Sequence, residues 1–316
     1  MTFGFWKTLK KPIMALAPMA NVTDAAFRSI IAKYGKPDVM YTEFVSADGL
    51  VSIGKEVLLL DLKFDKSEKP IVAQFFGATP EHFYQIALLA QELGFDGIDI
   101  NMGCPDRAVL RQGAGASLIE VPELAKKIIS ETKRGAGSLP VSVKTRLGLK
   151  RNTLKSWLPH LLDMELAAII IHGRTAKELS LVPADWDAIG EAVKIRDGYS
   201  KETLILGNGD VKDLTDAESK AKKYGLDGVM VGRGIFGNPW FFTGHIPTTE
   251  KKLRVMVEHT RLFEKLFSGK KNFDVMKKHY KAYVNGFDGA KELRIKLMAA
   301  KNADEVEKIV KNSGLY

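Results

Sequence analysis

The chain predicts a (β/α)8 TIM barrel, an α/β fold, followed by a small all-helical C-terminal domain. Three observations carry that expectation. Eight short apolar, β-branched runs recur at residues 13–17, 39–43, 71–75, 97–100, 141–145, 168–171, 204–206 and 228–231. Between them lie stretches of helical periodicity, such as 80–93, 123–133, 154–164, 186–195 and 214–224. After Asn238-Pro239-Trp240-Phe241 the alternation stops and only helical patterns remain. Alternating strand and helix implies parallel strands joined by right-handed crossovers, and eight such units close a barrel. An open doubly wound sheet is the rival, but it usually carries a glycine fingerprint after its first strand. The first strand here ends in Ala17-Pro18-Met19-Ala20, with no glycine.

The tail reads as helices over 251–266, 273–285, 291–300 and 304–311. Asn302 with Glu305 three residues on is a capping signature, and Gly314 is a stop. Tyr280, Tyr283 and Phe287 follow helical spacing and read as core packing. The division expected is a catalytic barrel over 1–242 and a helical domain over 243–316.

At 316 residues the chain can bury a large core, and 45% hydrophobic with 27% charged residues is ordinary for a soluble globular protein. No apolar run approaches the ~20 residues of a membrane span, so no membrane association is expected. The first residues lack the charged head, long apolar stretch and cleavage site of a signal peptide. A single cysteine excludes an intrachain disulfide. Both features suit the cytoplasm. Residues 243–316 hold 16 Lys+Arg against 9 Asp+Glu, so +7 of the formal +9 sits there. A concentrated positive field fits a polyanionic partner, although a solvated lysine-rich surface has the same composition. No stable protein partner is implied.

In such barrels chemistry sits at the C-terminal ends of the strands, and polar residues recur there. They are Glu43 after the second strand, Gln74 in the third, and Asn101 and Cys104 after the fourth. Lys144 and Arg146 follow in the fifth, His172 and Arg174 at the sixth, Asn208-Gly209-Asp210 at the seventh and Gly232-Arg233-Gly234 at the eighth. Glycines after the last two strands let backbone N–H groups approach an anion, the usual phosphate site of this fold. Arg233 can add a charge-assisted bond. Lys144 and His172 would be cations at the mouth, placed to stabilise negative charge developing on a bound ring. Gln74 offers a donor and an acceptor to a ring edge. Carboxylates near the mouth are few and the polar set is not spaced for a metal, so none is expected. His279, Arg294 and Lys296 are candidate phosphate contacts. Cys104, between Gly103 and Pro105 where a strand breaks into a loop, is open to three readings: nucleophile, general acid or inert filling. A thiol near its reference pKa of about 8.5 is mostly protonated at neutral pH, which suits a proton donor.

Over nearly its whole length the chain resembles the tRNA-dihydrouridine synthase family. The resemblance rests on Asn101-Met102-Gly103-Cys104-Pro105 followed by Gly113-Ala114-Gly115-Ala116-Ser117-Leu118, with Val143-Lys144-Thr145-Arg146, Ile171-His172-Gly173-Arg174-Thr175 and both glycine turns. In the tail it includes His279-Tyr280, Gly286, Ala290 and Arg294. It implies an FMN enzyme that reduces C5=C6 of selected uridines in tRNA with electrons from NADPH. Hydride would pass from the flavin to C6, and Cys104 would protonate C5. Pro18, Met19 and Ala20 would line the flavin, with Gln74, Lys144 and His172 on its ring system or ribityl chain. Asn208, Gly209, Asp210, Gly232 and Arg233 would hold the phosphate end. Asn101, Arg107, Arg174, Lys277, Lys278 and Arg294 are the expected substrate contacts. Where the family often has a basic residue before the valine of the cysteine loop, this chain has Ala108, with Arg107 one position earlier. The alternative is an FMN barrel acting on a small pyrimidine-like substrate, which would not need the basic tail.

Overall fold

The computed structural model describes residues 2–199 and 202–315. Eight strands form one parallel sheet: β1 (Ile13–Leu16), β2 (Met40–Ser46), β3 (Ile71–Phe76), β4 (Gly97–Met102), β5 (Val141–Arg146), β6 (Ala168–His172), β7 (Leu204–Asn208) and β8 (Gly228–Val231). Their order is β1-β8-β7-β6-β5-β4-β3-β2. The ring closes at Val39, whose N–H donates to Met14 O at 3.2 Å and whose carbonyl accepts from Leu16 N at 3.0 Å. The expected barrel is therefore present. Its second strand starts at Met40 and runs on to Ser46, with a register shift between Tyr41 and Phe44 against β3.

Period-two alternation sorts side chains into two cores. Ile13, Ala15, Val72, Ile170, Leu206 and Met230 fill the barrel interior. Phe3, just before the Gly4–Thr8 turn, and Trp6 within it belong to the same cluster. The alternate residues Met14, Leu16, Ala73, Ile98, Val143, Ile169 and Ile205 face the surrounding helices. Those helices are amphipathic, and their starts are set locally. Pro80–Glu92 and Pro122–Ala136 each start on proline, and Asp185 and Asp213 accept the N-terminal bonds of Trp186–Gly198 and Leu214–Tyr224.

Among the described residues, four α-helices follow β8: Thr249–Phe267, Lys277–Tyr283, Ala290–Ala299 and Ala303–Lys311. Asn302 caps the last by accepting from Glu305 N. The helix expected over 273–285 is shorter. Asn272 caps a separate 3-10 turn, Phe273–Met276, and Gly286 and Gly289 at φ 78° and 80° turn the chain away beyond Tyr283. Tyr280 and Tyr283 are fully buried and Phe287 packs beside them.

The tail does not build this core alone. Ala25, Ala26 and Ile30 of the first barrel helix, Ala25–Tyr34, share it. Phe27 of that helix packs at a tilt against His259 and His279, and Tyr34 Oη donates to Glu258 at 2.5 Å. Near the barrel mouth Lys271 donates to Glu43 at 3.0 Å and pairs with Asp61 at 2.7 Å. Among the described residues, no helix is long and apolar enough to cross a membrane.

Candidate active site

Alternation also builds the site. Counting inward from the packed interior, the next residues on each strand are Gln74, Asn101, Lys144 and Arg146, His172 and Asn208. Pairing sets them side by side: Asn101 with Lys144, Arg146 with His172, and His172 with Asn208. They line a cavity of about 630 Å³ at the C-terminal ends of the strands, within the usual range of ligand pockets.

Cys104 sits at this cavity, on a loop held from three sides. Its N–H donates to Asn101 Oδ1 at 2.8 Å, and Arg146 Nε donates to Gly103 O at 2.8 Å. Its own carbonyl accepts from Ala116 N at 3.1 Å. Two glycines allow that packing. A Cβ on Gly103 would press on the Thr145 backbone at 3.2 Å, and one on Gly115 would lie 2.8 Å from Cys104 O, where φ is +60°. Burial pushes the thiol up, and Lys144 and Arg146 oppose that only in part. It is therefore a protonated group at neutral pH, the opposite of an activated nucleophile.

The cations are arranged differently from expectation. Burial first, then Lys144, Arg146, Arg174 and Arg233, push His172 down to about 2. Its ring is neutral, and Arg174 Nη1 lies 3.3 Å from Nε2. Lys144 and Arg146 supply the charge near Cys104 that His172 does not.

At the other end Asp210, at φ +46° after Gly209 at φ +128°, gathers arginines. It accepts from Arg174 Nη2, and from Arg233 Nη2 at 3.1 Å. Burial would raise its pKa, but the Ala184 N–H and Arg174 outweigh that and keep it ionised. Its carboxylate is thus engaged by two guanidinium groups. Asn208 Nδ2 donates to Met230 O at 2.8 Å, tying β7 to β8. Gly232 is open on its cavity side: a Cβ there would meet only Met19 Sδ and Ala17 Cβ, at 3.6 and 3.7 Å.

Of the expected residues, Pro18, Met19, Gln74, Asn101, Cys104, Lys144, His172, Arg174, Asn208, Gly209, Asp210, Gly232 and Arg233 line this one cavity. Ala20 is exposed and outside the lining. Arg107 is exposed on a short helix capped by Asp106. Arg174, only 3% exposed, gives its donors to Val182 O and Asp210. Lys277 pairs with Asp274 at 2.5 Å, and Lys278 donates to Asn21 O at 2.6 Å. Arg294 donates to Val284 O at 2.7 Å, bracing the tail internally. His279 is fully buried, so it contacts no phosphate. Reading only strand ends missed Phe44, Leu179, Ser180 and Lys212 in the wall, and left Arg146 without a role. Period two would have found Arg146, two residues from Lys144; the 179–180 loop has no such signal.

The match to a family model decides what this cavity belongs to: residues 15–313 match the model described as dihydrouridine synthase. The chain belongs to the dihydrouridine synthase family. Its curated relatives include "Probable tRNA-dihydrouridine synthase 2" of Bacillus subtilis (strain 168), 40% identical over 98% of this chain and 96% of that protein. "Probable tRNA-dihydrouridine synthase" of Staphylococcus aureus (strain COL) is 39% identical over 98% and 95%. Among solved structures, morphinone reductase matches with TM-score 0.53 at 12% identity, covering 77% of this chain and 87% of that one. Histamine dehydrogenase from Rhizobium sp. 4-9 matches with TM-score 0.54 at 10% identity, covering 79% and 48%. These structural likenesses concern the barrel fold alone.

Members of the dihydrouridine synthase family are flavin-dependent oxidoreductases, and the residues here fit a flavin. The cavity offers the amides of Gln74 and Asn101 with Lys144 to a polar ring edge, and the open Gly232 with Arg233 beside it to an anion.

Proposed function

We propose that this chain reduces C5=C6 of selected uridines in tRNA to 5,6-dihydrouridine in the cytoplasm, with FMN as its flavin and NADPH as electron source. The observation that carries the reading is the protonated Cys104 thiol on a rigid loop, facing one cavity with Lys144 and a glycine–arginine phosphate end. A flavin held against Gln74, Lys144 and His172 would supply hydride chemistry to the uracil ring, and Cys104 Sγ would give its proton to C5. Asn101 orients the loop, and Lys144 stabilises charge as electrons enter the ring. Neutral His172 offers a hydrogen bond without adding its own charge to those of Lys144 and Arg146. A monophosphate end suits FMN: Gly232 leaves room for it, and Arg233 is held on its flank by Asp210.

The target base must leave its stack to reach such a pocket. Residues 243–316 form the tRNA-binding part, gripping backbone phosphates rather than reading bases. Arg107, Lys277 and Lys278 are the contacts we assign to RNA. Arg174 and Arg294 serve by bracing the walls around it.

Replacing Cys104 by alanine is the direct test. The variant should purify with its flavin, while dihydrouridine formed in tRNA falls by about 100-fold or more, the usual weight of a positioned acid. Undiminished product, measured by nucleoside mass spectrometry, would remove the thiol from the mechanism.

A further inference from the structure

Asp99 does not line the cavity but lies directly beneath it, one inward step before Asn101 on β4 and fully buried. Its carboxylate accepts from Ser142 Oγ at 2.5 Å and from Gln74 Nε2 at 2.7 Å. From Gln74 the bonds run upward. Gln74 Oε1 accepts from Asn101 Nδ2 at 2.9 Å, and Asn101 Oδ1 accepts from the N–H groups of Gly103 and Cys104 at 3.1 and 2.8 Å. Every link has the same polarity, with donors pointing toward Asp99.

That polarity needs a cause. A primary amide carries a donor and an acceptor on branches of nearly equal shape, so Gln74 or Asn101 alone could turn over. The ends of the line remove that freedom. An ionised carboxylate only accepts, and a backbone N–H only donates. If Gln74 turned over, its oxygen would face a carboxylate and its NH2 would face that of Asn101. A turned Asn101 would then oppose two backbone donors.

We infer that Asp99 is a positioning residue for the reaction: it sets the orientation of the Gln74 and Asn101 amides and, through them, the loop that presents the Cys104 thiol. The inference rests on Cys104 as the proton donor proposed above, but its geometry stands apart from that chemistry. Asparagine at position 99 can keep the polarity. Its oxygen can still accept from Gln74 while its NH2 turns to Ser142, whose hydroxyl is then free to donate to Ile98 O, 3.4 Å away. Leucine at 99 fills the space and imposes nothing.

Because Cys104 is the chain's only cysteine, its alkylation reports on this loop alone. The experiment measures iodoacetamide alkylation of the flavin-loaded protein at fixed pH. Asp99→Leu should alkylate about fivefold faster or more, as a loop freed of one buried anchor becomes more accessible. Asp99→Asn should stay within about twofold of the parent. Val72→Ala is a packing control that opens a gap in the same interior without touching the line. Parental alkylation in Asp99→Leu, or an equal rise in Val72→Ala, would overturn the inference. Should Asp99→Leu fail to fold, Gln74→Leu cuts the same line one step on, and a parental rate there is equally fatal. Absence of dihydrouridine from the parent's tRNA would sink the proposed function but leave these rates, and this inference, standing.

Discussion

Burial, reinforced by Arg146, brings the Lys144 ammonium down to about 8, although Asp99 and the Cys104 thiolate form oppose the shift. A lysine titrating there changes charge just above neutrality. If that charge supports electron transfer into the ring, turnover should fall as pH rises through about 8. Arginine at 144 stays charged at that pH, so Lys144→Arg should abolish this limb even where its kcat is lower; the pH profile of dihydrouridine formation checks it. This scale also shows why the cysteine motif was legible in the chain. Gly103 and Gly115 are there because the loop packs against Thr145 and the Cys104 carbonyl, so the spacing encodes the contacts. The charge of His172 was not legible, because it depends first on burial and then on four cations brought from β5 and from the loops after β6 and β8. Asp99 was hidden for a different reason. It reads as one polar residue in an apolar strand, and only the register against β3 and β5 reveals its partners.

Among the elements, the strands and most helices followed from periodicity, and the exceptions have local causes. The glycine pair at 286 and 289 truncates a helix whose apolar pattern continues to Phe287. The docking of Thr249–Phe267 onto Ala25–Tyr34 had no signature in either segment alone. It depends on Phe27, His259 and His279 meeting, with ring centroids 4.8 Å apart between the two histidines. Neither ring nitrogen of either histidine bonds to another protein group, and burial pushes His259 down to about 3. The sign follows from proton binding. Below its ordinary value near 6.5 the unfolded chain takes up a proton that the folded chain refuses until about 3. Stability is therefore intact above 6.5 and is lost as pH falls through that window. His259→Leu removes this term. Between pH 7 and 5 its unfolding free energy should drop by about 2 kcal/mol less than the parent's, read from urea denaturation at both values.

For the whole molecule, charge separates the two ends of the chain. The barrel portion, residues 1–242, is nearly neutral and the tail carries +7, so association with a polyanion should be governed by salt. Lys277→Ala with Lys278→Ala should weaken tRNA binding across all tRNAs alike. The slope of log affinity against log salt should shrink by about two if both lysines contact phosphates. Fluorescence anisotropy with labelled tRNA measures both quantities; an unchanged slope would remove these lysines from the interface.

The helix Ala25–Tyr34 packs both ways, Phe27 and Ile31 into the barrel core and Ala25, Ala26 and Ile30 into the tail's. The helical body we assign to RNA is thus written in two distant stretches of the chain. Exchanging tails between members of the family by a single splice after β8 would pair a foreign helical layer with a mismatched partner. A working chimera has to carry residues 25–34 across together with 249–311. For the same reason, substitutions accumulating in Phe27 and His279 cannot drift independently, although 252 positions separate them.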